Sequence, residues 1–176
     1  MLILQNLITD KIMTDLERGY IAGLFDGEGT ISLSIWKRDE NVMGFRLGPN
    51  VCIYNSDLSL LIRAREVMGN GLITEHLPSK KVKNNKLVAK VSLGANQCRH
   101  VLPQILDVLA SKKAQAELVL KYLDLAPSGP KNSHLFEEFI DILWKLRTLN
   151  MRGLGSVSKD DVRNRLTSIK EARSNS

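Results

Sequence analysis

Apolar and polar positions change their period along the chain. Thr14 with Glu17 three residues later forms a capping box, which predicts a helix from Asp15 to Asp26, stopped by Gly27 and Gly29. The period then drops to two: Ile31, Leu33 and Ile35 alternate with Thr30, Ser32, Ser34 and Trp36 in a first strand. A second strand is predicted from Phe45 to Tyr54. Phe45, Leu47, Val51 and Ile53 point one way and Arg46, Asn50, Cys52 and Tyr54 the other, with Pro49 marking an irregularity or an edge. Ser56 and Asp57 are candidate caps for a helix from Leu58 to Met68, ended by Gly69. Strands at Leu72–Leu77 and Leu87–Leu93 flank a basic loop, Lys80–Lys86. Asn96 predicts a cap for a helix over 97–109, and Ser111 for one over 112–125. After a break at Pro127–Pro130, Phe136, Phe139, Ile140, Leu143 and Leu146 form the buried stripe of an amphipathic helix. A linker over 153–158 and a helical tail over 160–172 complete the reading.

This order predicts an α+β fold with one four-stranded antiparallel sheet and helices on one face. The expected organisation is an extension over residues 1–13, a domain over 14–151 and a tail over 152–176. The other sheet face would carry Thr30, Ser32, Ser34, Trp36, Arg46, Asn50, Tyr54, Thr74, His76, Lys86 and Lys90. A solvated polar face is the ordinary outcome for such a surface. The charge changes that picture. The 176 residues carry 25 Lys and Arg against 19 Asp and Glu, a net charge of +6. From His76 to Leu106 there are Lys80, Lys81, Lys83, Lys86, Lys90 and Arg99 and no acid. A two-stranded ribbon fits the DNA major groove, so a basic sheet face is a candidate nucleic-acid surface.

Other classes are unsupported. No apolar run reaches the roughly 20 residues of a membrane span, and MLILQNLITD has no basic n-region or cleavage site. Cys52 and Cys98 are too isolated for a disulfide scaffold, and His76, His100 and His134 have no metal-ligand spacing. A reduced, intracellular protein of a cytoplasm or an organelle is expected.

The segment YIAGLFDGEG, residues 20–29, needs its own account. Gly23 and Gly27 lie four apart, on one helix face, and Ala22 is also small; such spacing admits another helix backbone at close range. Glycine inside a helix costs about 1 kcal/mol relative to Ala, so close packing is a fitting compensation. Asp26 and Glu28 stand at a helix C-terminus, where carboxylates are disfavoured by about 0.3–1 kcal/mol each. If the glycine face meets its own copy, four carboxylates converge. A divalent cation would offset their repulsion, and a hard oxygen ligand suits Mg²⁺ beside phosphate.

YIAGLFDGEG closely resembles the signature of the LAGLIDADG homing endonucleases, with Ile21, Phe25, Gly27 and Glu28 as conservative departures. The helix-strand-strand-helix-strand-strand-helix order over roughly 14–125, and SKKAQAELVL from Ser111, extend the resemblance to most of the chain. It implies that Glu28 and the Gly27 carbonyl hold Mg²⁺ or a similar ion such as Mn²⁺. Asp26 would take a structural role, Asn55 would position water, and Lys112 would be the active-site lysine. DNA contacts are implied for Ser32, Ser34, Trp36, Arg46, Asn50, Tyr54, Thr74, His76, Lys80, Lys81, Lys83, Lys86 and Lys90. The start of the second helix departs from the pattern by lacking an arginine; Arg63 stands one turn further on.

Only one motif copy is present, since MRGLG at 151–155 has neither the spacing nor the acid. The resemblance therefore implies a homodimer joined through Ala22, Gly23, Leu24 and Gly27, cutting a long pseudo-palindromic site to leave short 3′ overhangs, and an intron-encoded origin is part of that implication. The competing reading is a non-cleaving relative, an RNA maturase acting on intron RNA or a DNA-binding regulator; the retained acid at Glu28 speaks for cleavage. A basic metabolic enzyme has no nucleotide fingerprint or nucleophile–base pair to support it.

Overall fold

The computed structural model describes residues 11–37, 45–76, 88–126, 135–150 and 158–174. The elements run α1 (Asp15–Glu28), β1 (Gly29–Lys37), β2 (Phe45–Asn55), α2 (Leu58–Met68), β3 (Leu72–His76), β4 (Val88–Leu93), α3 (Ala95–Ile105), α4 (Lys113–Leu125), α5 (Phe136–Asn150) and α6 (Lys159–Ser174). The four strands form one sheet in the order β1-β2-β4-β3. This is the predicted α+β core with extra C-terminal helices. The predicted breaks at 127–130 and 153–157 lie outside the described residues, as does the loop carrying Lys80, Lys81, Lys83 and Lys86.

The chain divides into two compact units. The first takes the chain up to Ile31 together with Asn50–Lys113. In it, α1 starts at the capping box: Thr14 N–H donates to Glu17 Oε2 at 2.9 Å and Glu17 N–H to Thr14 Oγ1 at 3.4 Å. The Lys11 ammonium, 2.8 Å from Glu17, and the Thr14 amide bring the Glu17 carboxyl down to about 2. Ile21, Ala22 and Phe25 are the buried face of α1. Asp57 caps α2 by accepting the Ser59 and Leu60 amides, and Gly69 ends it in the left-handed region at φ 68°, where a Cβ would be strained. The register sets Tyr54 beside Lys90 and Lys90 beside Thr74, with Ile53, Val91 and Ile73 in the neighbouring row. Val51, Ile53, Ala89, Val91 and Leu93 are buried, and α2 and α3 pack on β4.

Several boundaries differ from the sequence reading. α1 runs two residues beyond Asp26, through Gly27 and Glu28, because Gly29 continues directly into extended backbone (φ −83°, ψ 159°) with no left-handed turn. α3 begins at Ala95, not after Asn96: the Gln97 side chain turns back to accept the Gly94 N–H at 2.6 Å. It ends at Ile105, where the Val108 and Leu109 amides both donate to the Ile105 carbonyl. β2 continues through Pro49, and its pairing with β4 starts beyond that residue, at Val51, so the missing N–H falls outside this ladder.

The second unit comprises Ser32–Pro49 and Ala114–Ser176. Phe45, Leu47, Val119, Tyr122, Leu123, Phe139, Ile140, Leu143 and Leu146 are buried there. The buried Tyr122 hydroxyl donates to the Leu47 carbonyl at 2.7 Å, and its ring meets Phe139 edge-on at 5.8 Å. α6 packs on α5, with Arg163 paired to Glu137 and Lys159 to Asp141.

Candidate metal and nucleic-acid site

The last turn of α1 poses a local problem. Its final carbonyls have no intrahelical donor, they form the negative end of the helix dipole, and the turn itself carries no basic residue. The Gly29 N–H satisfies the Phe25 carbonyl. A Cβ on Gly29 would stand 2.6 Å from Phe25 Cα and 2.8 Å from its carbonyl oxygen, so only glycine lets the chain leave the helix this tightly.

The remaining compensation comes from far along the sequence. The Lys112 ammonium donates to the Phe25 carbonyl at 2.5 Å and to the Asp26 carbonyl at 2.8 Å, and Lys112 is only 8% exposed. In return the Asp26 carboxylate accepts the amides of Ala110 (2.8 Å), Ser111 (2.9 Å) and Lys112 (3.0 Å) and the Ser111 hydroxyl (2.8 Å). Burial pushes the Asp26 carboxyl up, but these donors outweigh it and hold its pKa below the ordinary value.

Two expectations are corrected here. Lys112 does not lie in the first turn of its own helix, which begins at Lys113; its cation meets the negative end of α1 instead. Asp26 is not an uncompensated charge at a helix C-terminus, because its carboxylate faces the donor-rich segment that leads into α4.

Glu28, the final residue of α1, is exposed, and its Oε2 accepts a hydrogen bond from Asn55 Nδ2. Asn55 is the last residue of β2, not a residue beyond it. Its Oδ1 accepts the Asp57 amide at 2.8 Å, which fixes the amide so that its NH₂ faces Glu28. Gly27 adjoins this carboxylate, and its exposed backbone has nothing within 4 Å of a built Cβ. Among the described residues no group of three or more His, Cys, Asp or Glu converges. A structural zinc cage is therefore not present in them. One carboxylate with a neighbouring carbonyl is a hard donor set of the kind that suits Mg²⁺, which keeps several waters and shares itself with phosphate.

The other predicted residues fall as follows. Along α1, Leu16 (85% exposed), Tyr20, Gly23 and Gly27 are exposed and Leu24 is half-buried, whereas Ala22 is 2% exposed inside its own unit. Tyr54, Lys90 and Thr74 are brought into one row across three strands, with the Lys90 ammonium 5.8 Å over the Tyr54 ring. Burial pushes the Tyr54 hydroxyl up, with Cys52 adding to it. Thr74 Oγ1 is buried without a hydrogen-bond partner. Asn50 is half-buried and its Oδ1 lies 3.7 Å from Cys52 Sγ. In the second unit, Ser32 and Ser34 are half-buried and Trp36 and Arg46 exposed, with the Trp36 ring against Gly48. His76 ends β3, opposite Val88. Arg63 is an exposed α2 residue, 3.9 Å from Glu66. The sequence reading missed Ala110 and the anchoring part of Ser111. The signal was a Ser-Lys pair just ahead of a helix, but nothing local tied it to Asp26.

No family model matches the chain. A curated relative, DNA endonuclease I-CvuI of Chlorella vulgaris, is 23% identical over 124 residues, 69% of this chain and 73% of that protein. The solved structure of I-CvuI with its target and calcium matches at TM-score 0.69 and 21% identity, covering 88% of this chain and 94% of that one. The archaeal intron-encoded homing endonuclease I-Vdi141I, complexed with DNA, matches at TM-score 0.70 and 22% identity, covering 92% and 99%. The LAGLIDADG meganuclease I-CpaMI bound to uncleaved DNA gives 0.63 and 19%, with 87% of this chain but 51% of that chain covered. The fold is that of these endonucleases.

Proposed function

We propose that the protein is a site-specific DNA endonuclease that hydrolyses phosphodiester bonds with a divalent cation at Glu28. The observation that carries this reading is the end of α1, where an exposed carboxylate is oriented by Asn55 beside the Gly27 carbonyl. Glu28 and the Gly27 carbonyl hold the ion, Mg²⁺ or Mn²⁺. When bound, it supplies Lewis-acid stabilisation of the phosphate and activation of water. Asn55 holds Glu28 in one orientation, and its position at the strand end also lets it direct a water toward the phosphate. Tyr54 and Lys90 face base edges, joined in this reading by Ser32, Ser34, Trp36, Arg46, Asn50 and His76, while Thr74 flanks Lys90 with its Oγ1 buried. The lysines at 80, 81, 83 and 86 supply phosphate contacts.

The active form is a homodimer. One motif per chain provides one cleavage centre, and the exposed Gly23 and Gly27 with Leu24 form the approach surface for a second copy. Ala22, buried in its own core, supports that face from beneath. The near-complete coverage of I-Vdi141I and the half coverage of I-CpaMI support one cleavage half per chain. The expected target is pseudo-palindromic, mirroring the protein two-fold, and the expected product carries short 3′ overhangs. A maturase or a non-cleaving regulator has no observation of its own in its favour. Selection of bound duplexes from a randomised DNA pool, followed by incubation of the selected duplex with Mg²⁺, tests the proposal. Cleavage of both strands supports it; binding without cleavage in either Mg²⁺ or Mn²⁺ leaves only the regulator.

A further inference from the structure

We infer that Lys112 is a positioning residue for the cleavage centre, acting through the backbone of α1 and not by contact with the scissile phosphate. The inference rests on the endonuclease reading and departs from the active-site role that the family resemblance implies for this lysine.

Three observations carry it. The Lys112 ammonium is buried and donates to two carbonyls, those of Phe25 and Asp26. These directly precede the Gly27 carbonyl and Glu28, the proposed ligands. The Lys112 amide is itself held by the Asp26 carboxylate at 3.0 Å, so the lysine and the helix end fix one another from two sides. A cation on the last carbonyls also compensates the dipole at the end of a helix whose last turn has no basic residue of its own. The result is a rigid ending for α1 from which Gly27 and Glu28 project at a set angle. Groups that orient metal ligands typically govern metal affinity by about 10–100-fold, whereas a donor touching the reacting oxygens governs the rate at saturating metal by about 100–1000-fold.

The test measures, for wild type, Lys112→Met and Lys112→Arg, the affinity of the complex with the duplex selected by the wild-type protein for Ca²⁺ by isothermal titration calorimetry, which Lys112→Met should weaken in step with its Mg²⁺ midpoint, and single-turnover cleavage of the same duplex across a Mg²⁺ titration. The expected result for Lys112→Met is a half-saturating Mg²⁺ concentration raised about tenfold or more, with a rate at saturating Mg²⁺ and a pH–rate profile close to wild type. Lys112→Arg, whose guanidinium has several donors for the two carbonyls, should restore much of the Mg²⁺ dependence. A purely structural lysine would lower the melting temperature without moving the Mg²⁺ midpoint of the folded fraction, and that result overturns the inference. So does a large loss of rate at saturating Mg²⁺ with an unmoved midpoint, the signature of a group on the phosphate. If Lys112→Met does not fold, Lys112→Gln takes its place: a raised midpoint with a near-wild-type saturating rate in a protein with wild-type circular dichroism supports the inference, and an unmoved midpoint with reduced saturating rate overturns it. A wild-type protein that cuts no duplex in Mg²⁺ or Mn²⁺ overturns the endonuclease reading itself, and the inference with it.

Discussion

Asp26 and Lys112 hold each other through both backbone and side chain: the Asp26 carboxylate accepts the Lys112 amide at 3.0 Å, and the Lys112 ammonium donates to the Asp26 carbonyl at 2.8 Å. Residues 86 positions apart thereby join the C-terminus of α1 to the segment entering α4. Each charge sits against the opposite end of a backbone dipole, so two placements that are unfavourable within their own sequence neighbourhoods become favourable together.

Removing the Asp26 carboxylate should cost stability in a pH-dependent way. Asp26→Ala strands four donors and should destabilise by about 1–2 kcal/mol at neutral pH, the range of a lost cap. The Asp26 pKa is lowered in the folded protein. Its contribution is thus fully present above the unfolded carboxylate value and is lost as pH falls through the folded one. Urea unfolding of wild type and variant should show a gap at neutral pH that narrows in acid. A gap that stays constant from neutral pH into strong acid would contradict the role of the ionised carboxylate.

Gly29→Ala should be among the more damaging changes in the motif. The new Cβ would meet backbone atoms of Phe25, and such overpacking typically costs about 1–3 kcal/mol. Gly27→Ala, whose Cβ meets nothing within 4 Å in the chain, should leave thermal stability equal or higher. Paired melting curves check the contrast, and equal losses from both would refute the account of how α1 ends.

Gly23 separates folding from assembly. A side chain there meets nothing within 4 Å inside the chain, and replacing a helical glycine removes a cost of about 1 kcal/mol. Gly23→Leu should therefore fold with wild-type helicity yet sediment as a monomer where wild type sediments as a dimer. A variant that remains dimeric would move the interface off this helix face.

DNA affinity should fall with salt at about 0.9 logarithmic units per neutralised phosphate contact. Lys80, Lys81 and Lys83 changed to Ala should flatten that slope with little change in sequence preference. Lys90→Ala, in the row with Tyr54 and Thr74, should instead alter which bases are tolerated. Competition with selected and scrambled duplexes at several salt concentrations separates the two, and an unchanged slope in the triple variant would place the loop away from DNA.

The sheet and most helices were legible because burial imposes a period. The alternation around Ile31 and Leu33, and around Ala89, Val91 and Leu93, leaves one face for the core. The boundaries read less well where a side chain closed a helix from an unexpected position, as Gln97 does on Gly94. Gly27 reads as a helix stop because glycine so often ends helices in the left-handed region, yet here the helix passes through it and Gly29 ends it in extended backbone. The motif drew attention to Asp26 and Glu28 at the helix end, and the structure shows Glu28 to be the exposed one. It did not show what holds that end in place, since Asp26 and Ala110 are 84 residues apart and no local period links them.

The most direct test of the metal-dependent cleavage centre is Glu28→Gln, assayed by single-turnover cutting of the selected duplex in Mg²⁺, with binding measured in parallel by gel shift in Ca²⁺. The amide keeps the size of the side chain but loses the charge that would hold the ion. The account predicts a folded dimer that binds the duplex at least as well as wild type and cuts neither strand at a measurable rate. Cutting at the wild-type rate would remove the ion from the end of α1 and contradict the proposed centre.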